Sequence, residues 1–221
     1  MLSNTNRTTI KKGQHKAVDD VERLYHIIDE CLIAHIAIEE ESGPVVIPML
    51  AWRVEHDVYI HGANNSRLIR KLKNGSQTCL TFTLFDGWVL ARSAFHHSAH
   101  YRSAVVFGRF EEVNDKQDKD RLLNHFIEQI APGRTNDVRL SSDKELAATA
   151  LLRISLTEAS VKVSENDVSD DKEDLDLPVW AGYMPYKTTV GPLIPVEELP
   201  DVIATPDYSN AYGKRWKATE R

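Results

Sequence analysis

The densest run of groups able to do chemistry lies in residues 91–108, ARSAFHHSAHYRSAVVFG. Arg92, His96, His97, Ser98, His100, Tyr101, Arg102 and Ser103 crowd together there, just ahead of an apolar stretch. Val105, Val106 and Phe107 form an unbroken apolar run, the pattern of a strand buried on both faces. Polar groups on such a strand need partners, because an unpaired buried donor costs about 1–3 kcal/mol. A bound anionic cofactor would supply them; an exposed hairpin with one wet face is the alternative. On a strand, His96 and His100 share a face and His97 points away. One metal ion could then take two of the three but not all without a turn between them, and no nearby pattern supplies further ligands. The serines at 93, 98 and 103 have histidine neighbours, but the chain has no G-x-S-x-G elbow, which argues against a hydrolase.

A second constellation is His61-Gly62-Ala63-Asn64-Asn65-Ser66-Arg67, placed between a strand pattern and a helix pattern. Free backbone amides, a hydroxyl and a guanidinium fork suit a phosphate, and Gly62 lets the backbone come close. The competing reading is a plain helix cap, with Arg67, Arg70 and Lys71 solvating the helix. A third is Trp180 with Tyr183: their rings can edge a planar ring system and still donate a polar contact, or simply fill core.

These groups need elements to hold them. Asp19 or Asp20 caps a helix whose apolar positions Val21, Leu24, Ile27, Ile28 and Cys31 share a face. Residues 32–38 and 45–52 read as strands about Ser42-Gly43-Pro44, and residues 58–62 as a third strand. Asn64 or Asn65 caps a short helix carrying Leu68, Ile69 and Leu72, which Gly75 stops. Residues 78–84 and 88–94 read as a hairpin through Phe85-Asp86-Gly87, and residues 101–113 as a long strand. Residues 115–130 carry a helical stripe ended by Pro132-Gly133, and Ser142 with Glu145 has capping-box spacing. Residues 151–163 read as one more strand, 165–176 as an acidic solvated loop, and 178–185 as an apolar tail. Prolines at 192, 195, 200 and 206 exclude long regular elements, and Trp216 falls in a weakly ordered terminus. Strands joined by hairpins, one helix before them and two after, predict an antiparallel barrel with helical cover. No βαβ repeat and no GxGxxG occurs, which argues against a Rossmann-type site.

At 221 residues the chain suits one domain: a polar arm at 1–18, a barrel at 19–185 and an extension at 186–221. The 27 Lys and Arg against 33 Asp and Glu give a net charge of −6, unsuited to binding nucleic-acid backbone or an anionic membrane. Two cysteines offer neither a disulfide framework nor a CxxC site, and no stretch has the length and apolarity of a membrane span. A cytoplasmic protein is expected.

Three stretches together resemble the FMN-binding split-barrel superfamily of pyridoxamine 5′-phosphate oxidase, in its branch of flavin-nucleotide-binding and nitroimidazole-resistance-like proteins. They are Val46-Ile47-Pro48-Met49, Tyr59-Ile60-His61-Gly62 through Ser66-Arg67 to Leu72, and residues 91–98 with Tyr101-Arg102-Ser103 before Phe107-Gly108. The resemblance implies a mainly β fold, a six-stranded antiparallel split barrel with peripheral helices. It also implies a homodimer with FMN between the subunits. Carried over, Pro48 and Met49 would lie along the isoalloxazine, and His61, Gly62, Ser66 and Arg67 would meet the ribityl phosphate, supported by Lys71. Arg102 and Ser103 would approach the flavin, as would Trp180. His61 and His97 are the candidates for a proton donor. The chain lacks the oxidase's basic residues where Pro48 and Met49 stand, and its tail lacks the arginine and histidine that recognise pyridoxal phosphate. The expected function is therefore an FMN-dependent oxidoreductase acting on another small molecule, such as a nitroaromatic. The alternative is a noncatalytic flavin or haem carrier or sensor.

Overall fold

In the computed structural model, residues 2–208 are described; Trp216 lies outside them. Chain order is β1 (Ala17–Val18), α1 (Val21–Glu30), β2 (Ile33–Glu40), β3 (Gly43–Leu50), β4 (Trp52–Val54), β5 (Asp57–Ala63) and α2 (Arg67–Lys73). There follow β6 (Gln77–Leu90), β7 (Ser98–Arg109), β8 (Glu111–Glu112), α3 (Lys116–Ile130), α4 (Asp143–Ala148), β9 (Thr149–Ser155), β10 (Ala159–Ser164) and β11 (Gly182–Pro185). The strands form two antiparallel sheets. One runs β1-β10-β7-β6-β2-β3, with β11 also on β6; the other runs β4-β5-β9-β8. Split-barrel architecture is thus realised as a larger and a smaller sheet closed over one core.

Alternation along each strand decides what the core contains. Ala34, Ile36 and Ile38 of β2, Leu80 and Phe82 of β6, and Ala104 and Val106 of β7 all point inward. They meet Val58, Ile60, Leu152 and Ile154 of the smaller sheet, and α1 and α2 close the interior with Leu24, Ile27, Ile28, Leu68, Ile69 and Leu72. Helix α1 starts where Asp20 accepts the Glu22 amide, and α4 carries the capping box of Ser142 and Glu145. The cap of α2 is Ser66, which accepts the Ile69 amide, and not Asn64 or Asn65.

Three elements differ from the sequence reading, each for a local reason. Residues 151–163 are two strands, because the chain turns beyond the buried Leu156 and carries β10 into the other sheet. The polar arm is fastened: Ser3 exchanges hydrogen bonds with the Ala159 backbone, Arg7 pairs with Glu158, and β1 adds an edge to β10. Phe85-Asp86-Gly87 is no hairpin turn. β6 runs straight through it with a bulge at Asp86 while β7 stays paired on both sides. Gly87 adopts φ +153°, and a Cβ there would fall 2.6 Å from the Met184 carbonyl oxygen, so glycine is what lets β11 lie along β6.

The bulge also aims Asp86 at Arg102. The buried guanidinium donates to both Asp86 oxygens at 2.9 and 2.7 Å and to both oxygens of Glu30, the last residue of α1. Burial works against its charge, but the hydrogen bonds to Asp86 and Glu30 prevail and hold its pKa above the ordinary arginine value. Arg102→Ala leaves two carboxylates facing each other without a counter-ion, and should lower stability by about 3–5 kcal/mol in urea denaturation. Arg102→Lys should recover only part of this, because an ammonium cannot serve two carboxylates bidentately.

Candidate functional site

The larger sheet has one face turned away from the core, and β3, β2, β6 and β7 carry it in register. One row reads Pro48, His35, Thr81, Val105; the next reads Val46, Ala37, Cys79, Phe107. Neither row contains a carboxylate, ammonium or guanidinium group. Val46 is 58 % and Leu50 48 % exposed. Toward the β11 end the face continues with Phe85 and Trp88, whose rings meet edge to face at 4.9 Å, and with Tyr186 against Phe85 at 5.1 Å.

Of the sequence-derived residues, Pro48 and Ser103 lie on this face. Met49 points the other way and packs against the core. Arg102, one residue out of phase with Ser103, also points inward, with four of its N–H groups given to Glu30 and Asp86. Arg67 stands at the rim, its side chain 64 % exposed and 3.3 Å from Glu40 at the end of β2, with Lys71 one turn on. Ser66 uses its hydroxyl oxygen as the helix cap. Gly62 faces α2, where a Cβ would crowd Ile69 at 3.1 Å. Its neighbour His61 therefore faces the opposite side of β5, away from Arg67. Trp180 is 67 % exposed and lies over Gly182.

The histidines of 96–100 are parted by a turn and not spread along a strand. Residues 94–96 form a short 3-10 turn held by Arg92, which donates from its amide and guanidinium to Asp170 at 2.8 and 2.7 Å. Burial works against the Asp170 charge, yet Arg92 holds its pKa below the usual carboxylate range. His97 places Nδ1 2.9 Å from the Ser93 carbonyl oxygen. A carbonyl only accepts, so Nδ1 carries a proton, and in the neutral ring the lone pair is on the exposed Nε2. His100 donates from Nε2 to the Asn166 carbonyl oxygen and meets the Tyr183 ring at a tilt, 4.8 Å between centroids.

Sequence reasoning missed a second region. On the outer side of the smaller sheet, α3 covers Trp52, Tyr59 and Leu151, and Phe126 meets Trp52 at 4.7 Å and His61 at 5.5 Å. An apolar cavity of about 170 Å³ opens beside them, lined by Leu32, Leu50, Trp52, Phe126 and Ile130 among others. The aromatic content of β4 and α3 was visible, but the meeting of Trp52 and Phe126 across seventy-four residues was not. Burial lowers the His61 pKa, and its Nδ1 has no hydrogen-bond partner. The unfolded chain then takes up its proton at a higher pH than the folded one. Stability should be full above the unfolded value of about 6.5 and fall as pH drops from there toward the folded pKa. His61→Phe should flatten that fall, as read from urea midpoints between pH 7.5 and 5.

Comparisons with known proteins agree with this fold. Residues 20–163 match the family described as pyridoxamine 5′-phosphate oxidase. A search of curated sequences gives no match. The chain is similar to the flavocytochrome Anf3 from Azotobacter vinelandii, with 34 % identity over 92 % of this chain and 94 % of that one, at a TM-score of 0.87. It is similar to the FAD and haem binding protein from Mycobacterium smegmatis, with 33 % identity over 88 % and 96 % of the two chains and a TM-score of 0.84. A protein from Bacteroides thetaiotaomicron described as a 5-nitroimidazole antibiotic resistance protein shares the fold at 22 % identity over 66 % and 86 %, with a TM-score of 0.55. With its open neutral sheet face, its two-sheet closure and a match spanning most of its length, the chain belongs to the pyridoxamine 5′-phosphate oxidase family.

Proposed function

We propose that this protein is a redox protein that binds a flavin nucleotide and a haem, and that it works as a homodimer paired through the outer face of the larger sheet. The observation that carries the proposal is the uncharged face from β3 to β7, which a single chain leaves open. An apolar sheet face of this breadth gains most from burial against a flat ring system and a second copy of itself. The extension supports the same reading: Ile194 is 87 % and Val202 88 % exposed, and a second subunit would give them cover.

The residues present fit both groups. For the flavin, Pro48 and Ser103 lie on the face and Arg67 stands at its rim with a solvent-facing guanidinium, suited to a phosphate. For the haem, His97 offers a free Nε2 with its tautomer fixed by the Ser93 carbonyl, the arrangement that prepares an imidazole to ligate iron. When bound, the flavin supplies two-electron and one-electron chemistry and the haem one-electron chemistry. The chain's own part is to bind and orient these groups, keep water from the face and set the His97 tautomer. The family motif leads to FMN, whereas the name of the M. smegmatis relative includes FAD.

Purified protein should show flavin absorption and a Soret band, and chromatography of the released flavin identifies it as FMN or FAD. A colourless protein that takes up neither group would end the proposal, as would a monomer in sedimentation. Oxidation of NADPH or reduction of a nitro compound separates an enzyme from a carrier. Arg67→Ala should weaken flavin binding by about 1.5–3 kcal/mol in calorimetry. His97→Ala should abolish or displace the Soret band and leave the flavin bands in place.

A further inference from the structure

We propose that His96, Asp171 and Asp174 form a binding site for a first-row divalent transition-metal ion, separate from the flavin and haem groups. One ligand atom of each residue lies within 4.8 Å of the others, close enough for small side-chain shifts to bring all three onto one ion. The set combines an imidazole with two carboxylates. Its charge balances a dication, and the nitrogen favours zinc or cobalt over calcium or magnesium, which prefer all-oxygen shells.

The surrounding chain holds these groups in place without an ion. His96 Nδ1 lies 2.8 Å from the Ser93 hydroxyl, which leaves Nε2 facing Asp171 at 3.9 Å. Ligating histidines are oriented in this way, with one ring nitrogen committed to a protein partner and the other to the metal. A second short 3-10 turn, residues 172–174, closes through the Asp174 amide on the Asp171 carbonyl oxygen, so two carboxylates three apart in sequence flank one spot. The Arg92–Asp170 pair, with the Asp170 side chain only 1 % exposed, fastens this turn to the histidine turn one residue before each begins to contribute. The His96 side chain is itself only 21 % exposed, so one side of the site is walled by protein and the other is open for water or an added ligand. Neither turn contributes to the neutral sheet face, and the site uses the His96 ring and the Ser93 hydroxyl, whereas His97 is held by the Ser93 carbonyl.

The test uses full-length protein, freed of metal by a chelator and titrated with Co²⁺ while visible d–d absorption and calorimetric heat are recorded. One equivalent per chain, displaced by Zn²⁺, is the expected result. His96→Ala and Asp174→Asn should each abolish the saturable signal. Ser93→Ala should weaken it by about 10–100-fold, and Glu173→Gln, in the same turn but outside the set, should leave it unchanged. All four positions are off the core, and circular dichroism checks that each variant is folded. No saturable binding by the wild-type chain, or binding that survives both His96→Ala and Asp174→Asn, overturns the proposal.

Discussion

Arg102 is the interaction on which the arrangement of this molecule turns. A guanidinium on a buried strand position is tolerable only with matched acceptors, and two carboxylates from distant parts of the chain converge on it. Glu30 brings the end of α1, and Asp86 brings the bulge of β6. The bulge in turn sets the phase of β6 beyond it, so that Phe85 and Trp88 emerge on one face and Gly87 accepts β11 alongside. A cluster that on its own looks structural therefore shapes the neutral face, because it decides where the sheet bends and what extends it.

The two sides of the larger sheet follow opposite rules. Its inner side is close-packed aliphatic core, and its outer side is neutral but uncovered, an unusual state for a broad sheet in a single chain. Charges are kept to the margins. Arg67 and Glu40 stand at one rim, and Arg7 lies over the ring of Phe107, where it is tied to Glu158. At the other end the histidine turn and the acidic segment 165–176 are locked together by Arg92 and Asp170. Acidity in that segment is thus not mere solvation, since one of its carboxylates is buried as an anchor.

The smaller sheet divides its residues with the same economy. Val58, Ile60 and Leu152 serve the barrel interior, while Tyr59, His61 and Leu151 serve the layer under α3. His61 sits on the far side of β5 from Arg67, where burial lowers its pKa. Residues contiguous in sequence are in this way assigned to different sites by the two-residue period of a strand.

Much of the fold is fixed by local sequence. Asp20 and the stripe from Val21 to Ile28 specify α1, the Ser142–Glu145 box specifies α4, and alternation in β2 and β6 specifies which side of each strand is core. The phosphate-suited motif and the histidine-rich strand were legible as family marks for the same reason: they are short and contiguous. What the sequence left undecided depends on pairings across long separations. Whether Asp-Gly at 86–87 makes a turn or a bulge is settled by whether β7 continues alongside, and whether Arg102 faces a ligand or the core is settled by Glu30, seventy-two residues earlier. The company His96 keeps is likewise chosen by a segment that reads as solvent-facing until Asp170 is seen buried against Arg92. Local periodicity sets the direction of a side chain relative to its own strand; only tertiary packing supplies the partner that it meets there.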